Sequence, residues 1–172
     1  GSSNPKIWRR IVVPATIKLS LLHVVLLRAM GWGGGHMHEF TFAQGSYASV
    51  EPGLDLPFDV QDESRVSLRN ALKASATFTW LYDYGDNWQH KVKVERAEVM
   101  GFALKHPLCI TGQGACPPDD VGGEPGFENF LQAMADPAHP EHDELAGWYG
   151  GSFDPAAFSA DDVQAQLDEI KL

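Results

Sequence analysis

Residues 76–96 constrain the fold more than any other stretch. Ala76, Phe78, Trp80 and Tyr82 alternate with Thr77, Thr79 and Leu81. Trp88, His90, Val92 and Val94 alternate in the same way with Gln89, Lys91, Lys93 and Glu95. A period of two puts every second side chain on one face of a sheet. Between the runs, Asp83-Tyr84-Gly85-Asp86-Asn87 supplies turn residues, so strands at 76–82 and 88–96 are expected to form an antiparallel hairpin. The second strand has a polar outer face and an apolar inner one. His90 falls on the inner face, and symmetric pairing puts it opposite Trp80.

Other elements are expected around this hairpin. Leu22, Val25, Leu26, Ala29 and Met30 share one helical face, between Ser20 as a candidate N-cap and Gly31 as a candidate stop. Ile7–Val13 and Met37–Ala43 suit strands, the second followed by a turn before Tyr47. Pro52, Gly53, Pro57 and several acids mark 52–66 as a loop, and a short helix fits Ser67–Lys73. From 101 to 126 the chain reads as loop, with Cys109, Cys116, Pro117, Pro118, Gly122 and Gly123. Helices are expected near 126–135 and 141–149, and a last one after Ser159, which forms a capping-box-like pair with Asp162. Strands come first and helices gather at the end. The expected class is α+β: a single domain over residues 1–172, with an antiparallel sheet and its central hairpin (76–96) packed by an N-terminal helix and C-terminal helices.

Charge narrows the function classes. Net charge is -10, and 13 of the 23 acids lie after residue 105 against one base, Lys171. Such a chain lacks the basic surface that grips phosphate backbones, so tight duplex DNA binding by this chain alone is not expected. Arg9 and Arg10 precede an apolar run, but Pro14, Lys18, His23 and Arg28 interrupt it, so neither a signal sequence nor a membrane partner is expected. Two cysteines suit a reducing compartment, and the expected location is cytoplasmic.

Several residue groups carry possible chemistry. His36 and His38 lie two apart on an expected strand and point to one face, where they can hold a divalent metal such as zinc, completed by Glu39 or the hairpin acids. The alternative is ordinary packing or hydrogen bonding. Asp83, Asp86 and Asn87 suit the turn as caps of backbone N–H groups; the sharper reading pairs Asp83 with His90 as an oriented base. If the 37–43 strand joins the hairpin, His36 or His38 comes within about 8 Å of Asp83, Asp86 or His90, in a pocket rimmed by Trp32, Tyr84 and Trp88. Cys109 and Cys116, with His139 and His142, depart from zinc-finger spacing, leaving a noncanonical metal site or two plain thiols. Asp119 and Asp120 line a cleft or serve a turn. Trp8 beside Arg9 and Arg10 is expected in the core, with the arginines meeting acids of the C-terminal half.

The motifs in order resemble the plasmid pRiA4b ORF-3-like family. Pro5-Lys6-Ile7-Trp8-Arg9-Arg10 and Val13-Pro14 are similar to its opening, and Leu22-His23, Ala29-Met30-Gly31-Trp32 and His36-Met37-His38-Glu39-Phe40 to its helix and following strand. Tyr82-Asp83-Tyr84-Gly85-Asp86-Asn87-Trp88-Gln89-His90 resembles its most specific stretch. Residues 112–123 (GQGACPPDDVGG), Asp136-Pro137-Ala138-His139-Pro140-Glu141-His142 and Phe153-Asp154-Pro155 complete the set. The resemblance implies one α+β domain, no established activity, and bacterial plasmids or mobile elements as the setting. This sequence departs from the family in having Gly33, Gly34 and Gly35 where acids are frequent, and in lacking a strand before the opening motif. Some members carry the label of resolvase, yet a recombinase needs a nucleophile and arginines around the scissile phosphate, and the C-terminal third offers one lysine. The reading is therefore a non-catalytic binding or accessory module for an unidentified protein or small-molecule partner. The alternative is a metal-dependent hydrolase or nuclease using His36, His38, Asp83, Asp86 and His90.

Overall fold

The hairpin lies within a five-stranded sheet in the structure, a computed structural model that describes residues 6–51 and 59–172. Its strands, β5 (Thr77–Tyr82) and β6 (Trp88–Lys93), pair with Trp80 opposite His90 and Tyr82 opposite Trp88. On the other side of β5 runs antiparallel β2 (His38–Phe42), with Phe40 opposite Trp80. A turn at Ala43-Gln44 leads into β3 (Gly45–Ala48), which carries Tyr47, and β4 (Val60–Asp62) pairs with β3 in parallel. The order is β4-β3-β2-β5-β6. Because β6 is an edge strand, Trp88 and Val92 are half-buried, whereas Phe78, Trp80 and Tyr82 on β5 are buried.

The inner face of this sheet is covered by helix α1 (Leu19–Met30), whose Leu19, Leu22 and Val25 join Phe40, Phe42, Phe78 and Trp80 in one core. Burying each such aromatic or branched side chain stabilises the fold by roughly 1.5–3 kcal/mol. Gly31 ends α1 at φ 117°, a left-handed conformation that a side chain resists. Ser20 is not the cap. The helix starts at Leu19, whose N–H donates to Val66 O at 3.0 Å, so tertiary backbone pairing takes the place of a capping side chain. A single helical turn of 3₁₀ type (Glu63–Arg65) precedes α2 (Leu68–Leu72), which Ser67 caps through Asn70 N–H. The first part of the expected 52–66 loop, with Pro52, Gly53 and Pro57, lies outside the described residues, as does Pro5 of the opening motif.

Three expectations are corrected around the strand that opens the chain and its partner. The stretch 101–126 contains a strand, β7 (Leu108–Gln113), which pairs antiparallel with β1 (Trp8–Val12) as a separate two-stranded ribbon. Trp8 is half-buried on that ribbon, not in the core, and its indole N–H donates to Gln113 Oε1. Arg9 donates to the carbonyls of Trp8, Ala29 and Gln113, and Arg10 pairs with Glu95, so neither meets the C-terminal acids. Arg28 does, pairing with Glu169 at 2.5 Å. Helices α3 (Gly123–Ala135), α4 (His142–Tyr149) and α5 (Ala160–Leu167) follow, α5 capped by Ser159 as expected. No helix among the described residues is long and apolar enough to cross a membrane.

Candidate functional site

The β2–β5 register builds the site. His38 faces Tyr82, and one step further Asp83 N–H donates to Met37 O at 2.8 Å, continuing the ladder past the strand ends. That brings His36 beside the hairpin turn. Asp83 sits at φ 64°, buried, with Oδ1 accepting from the N–H groups of Gly85 and Asp86. Its second oxygen faces His36, with Oδ2 3.6 Å from Nδ1.

A loop from the C-terminal half closes over this pair. Trp32 Nε1–H donates to Pro117 O, while Asp119 accepts from Tyr82 OH through Oδ1 and from Gly33 N–H through Oδ2. Asp86 Oδ2 accepts from Gly122 N–H. The bonds of Trp32 and Gly33 hold the 117–122 loop to the segment after α1, and those of Tyr82 and Asp86 hold it to the end of β5 and the hairpin turn. Asp120, at φ 63°, then points its Oδ1 to within 2.9 Å of His36 Nε2. One ligand atom from each of His36, Asp83 and Asp120 lies within 4.8 Å of the others. Asp83 is buried and Asp120 is largely exposed, so the group is anchored at one end and open at the other. An imidazole with two carboxylates suits a divalent transition ion, zinc or manganese. Burial, and then Asp119, push the Tyr82 phenol well above its ordinary range, so it stays a hydrogen-bond donor.

Other candidates are placed elsewhere. His36 and His38 do not share a metal site: the regular strand begins at His38, and the two rings serve different partners. His38 Nε2–H donates to buried Glu63 at 2.5 Å, and its ring stacks on His23 at 3.3 Å. His90 Nδ1–H donates to Trp80 O and packs against Trp80 and Trp32, so the expected Asp83–His90 pair is replaced by Asp83–His36. Burial lowers the His90 pKa. Trp32 is a core residue against Tyr82 and Trp88 rather than a pocket rim, while Tyr84 is exposed in the turn. Cys109, Cys116, His139 and His142 form no metal-holding group among the described residues. Cys116 donates to Pro117 O, His139 Nδ1 accepts from Glu141 N–H, and His142 Nδ1–H donates to Ala133 O. Burial pushes both thiols up, away from the thiolate form that metals bind. Glu39, opposite Leu81, is also outside the group. Asp120 was readable only as a cleft or turn acid. Glu63 gave no signal beyond an acid-rich segment, and His23 none beyond interrupting an apolar run and its place in the Leu22-His23 motif.

Comparison with known proteins gives three findings. The family described as "Plasmid pRiA4b ORF-3-like protein" matches residues 1–162. The chain is 39% identical over 171 residues to "Uncharacterized protein y4hQ" of Sinorhizobium fredii (strain NBRC 101917 / NGR234), covering 97% of this chain and 86% of that protein. The fold is similar, with TM-score 0.80 and 30% identity, to the crystal structure of the protein of unknown function MM3350 from Methanosarcina mazei Go1, covering 92% of this chain and 89% of that one.

Proposed function

The chain belongs to the plasmid pRiA4b ORF-3-like family, and since the relatives' names state no activity, we propose from the geometry that it is a binding module built around a divalent cation held by His36, Asp83 and Asp120. The observation that carries this reading is the convergence of one imidazole nitrogen and two carboxylate oxygens within 4.8 Å. Asp83 spends Oδ1 on two backbone N–H groups and leaves Oδ2 facing His36, where a metal ion would complete its partners while leaving coordination positions open on the Asp120 side. A non-catalytic role is supported by the two histidines a hydrolase would take as bases: His38 is committed to Glu63, and His90 to Trp80 O. The family's name supports a role carried by plasmids or mobile elements.

The test is calorimetric titration of dialysed protein with Zn²⁺ and with Mn²⁺. One site per chain is expected, weakened at least tenfold in His36→Ala and in Asp120→Asn. Equal affinity in the wild type and both variants, or no saturable binding, refutes the assignment. Metal-dependent cleavage of bis(p-nitrophenyl) phosphate by the loaded protein would instead favour the hydrolase reading.

A further inference from the structure

A groove of about 310 Å³ opens between α3 and α4 and shares Asp120 with the cation site; that volume is at the low end for ligand pockets. Phe130 and Leu145 line its apolar part. Trp148, 48% exposed, stands over it with its ring edge-on to Phe130 at 6.0 Å. The polar lining carries three carboxylates, from Asp120, Glu141 and Glu144. Asn129 Nδ2–H donates to Glu141 Oε2. No Lys or Arg occurs from residue 106 to residue 170, and among the described residues no Lys or Arg pairs with any of the three. The groove is thus negative and part aromatic: Asp120 faces His36, while Glu141 and Glu144 have no cationic partner among the described residues.

We propose that this groove docks a basic segment of a partner polypeptide, with an arginine side chain taken between Trp148 and the carboxylates. A guanidinium is planar: it stacks on an aromatic face and presents a fork of donors to two carboxylates, where an ammonium offers a point charge. A polypeptide fits better than a free amine because the same two helices carry Glu124 and Asp143 in their first turns. These acids lie outside the lining but add to the negative charge of the same two helices, so a chain with several charges gains more here than a single charge does. This goes beyond the cation reading, since Glu144 and Trp148 are not metal ligands.

The probe is the peptide acetyl-Gly-Arg-Gly-Arg-Gly-amide, added to ¹⁵N-labelled full-length protein, with its lysine counterpart and spermidine as controls. Saturable shifts are expected at the Trp148 indole and the Asn129 and Gly126 amides, with the arginine peptide binding most tightly. Trp148→Ala and Glu144→Lys should each weaken it at least fivefold; Glu144→Gln, which preserves shape, serves if either fails to fold. Unsaturable shifts spread over the acidic surface, spermidine binding as tightly as the arginine peptide, or variants that bind like the wild type would each overturn the proposal. Trp148 lines the groove but not the cation site, so Trp148→Ala is expected to lose peptide affinity while zinc affinity stays at the wild-type value, and the two sites fail separately. A matching loss of zinc affinity in Trp148→Ala would count against an independent groove.

Discussion

The buried imidazole of His23 makes the stability of this protein acid-sensitive. Its Nδ1 accepts from Trp80 Nε1–H at 3.2 Å, and its ring lies flat against His38. Burial, and then the neighbouring His38, lower its pKa from 6.5 to about 3. The folded protein therefore keeps this ring neutral where an unfolded chain would protonate it. The sign follows directly: full stability is present above pH 6.5, declines as pH falls below it, and stops declining near pH 3. Each pH unit inside that window costs about 1.4 kcal/mol, so the loss at pH 5 is about 2 kcal/mol, a large part of a typical domain's 5–15 kcal/mol. In His23→Gln the amide oxygen still accepts the Trp80 indole, at a cost of about 1 kcal/mol independent of pH. Urea unfolding followed by tryptophan fluorescence, at pH 7 and pH 5, separates the two proteins. The wild type should lose about 2 kcal/mol more than His23→Gln between these values, since the buried His90 is common to both. Parallel losses in the two proteins would refute the assignment of the acid sensitivity to His23.

Trp80→Ala should destabilise the domain by about 3–5 kcal/mol in chemical denaturation, because this side chain is fully buried on an interior strand of the sheet. Gly126→Ala would place a Cβ 2.1 Å from Val121 O; a loss of about 1–3 kcal/mol is expected, with weaker zinc binding in titration as the Asp120 loop shifts. Ser159→Ala should cost about 1 kcal/mol in thermal unfolding by removing the cap of α5. Filter binding to random duplex DNA at physiological salt should show no saturation below the micromolar range, because a chain of net charge -10 releases few counterions.

What could be read in advance follows the range of the interactions. The hairpin carries its information locally, in strict alternation and a turn whose Asp83 and Asn87 adopt positive φ. The pairing of Trp80 with His90 follows from it. Strand β7 was hidden because Leu108–Gln113 lies among Pro and Gly, alternates poorly, and finds its partner at the far end of the chain. The site divides in the same way. His36 and Asp83 were placed near each other by an expected strand–hairpin pairing, which the β2–β5 ladder supplies. Asp120 reaches them only through the bonds of Trp32, Tyr82 and Asp86 to a distant loop, contacts that no spacing in the sequence encodes. The pairing of His38 with Glu63 depends likewise on a short turn whose position is set by tertiary packing.

The β1–β7 ribbon has a consequence for how the chain is made. Its first strand emerges well before its partner, which ends at Gln113; at 5–20 residues per second, the wait is on the order of ten seconds. During that interval all five strands of the main sheet emerge, the last ending at Lys93, while the hydrogen-bonding groups of Trp8–Val12 stay open to any other strand nearby. Ribosome stalling or premature termination between Lys93 and Gln113 would prolong this exposure. The product would have the five strands of its main sheet and an unpaired ribbon strand at Trp8–Val12, the kind of edge through which chains add to one another and aggregate.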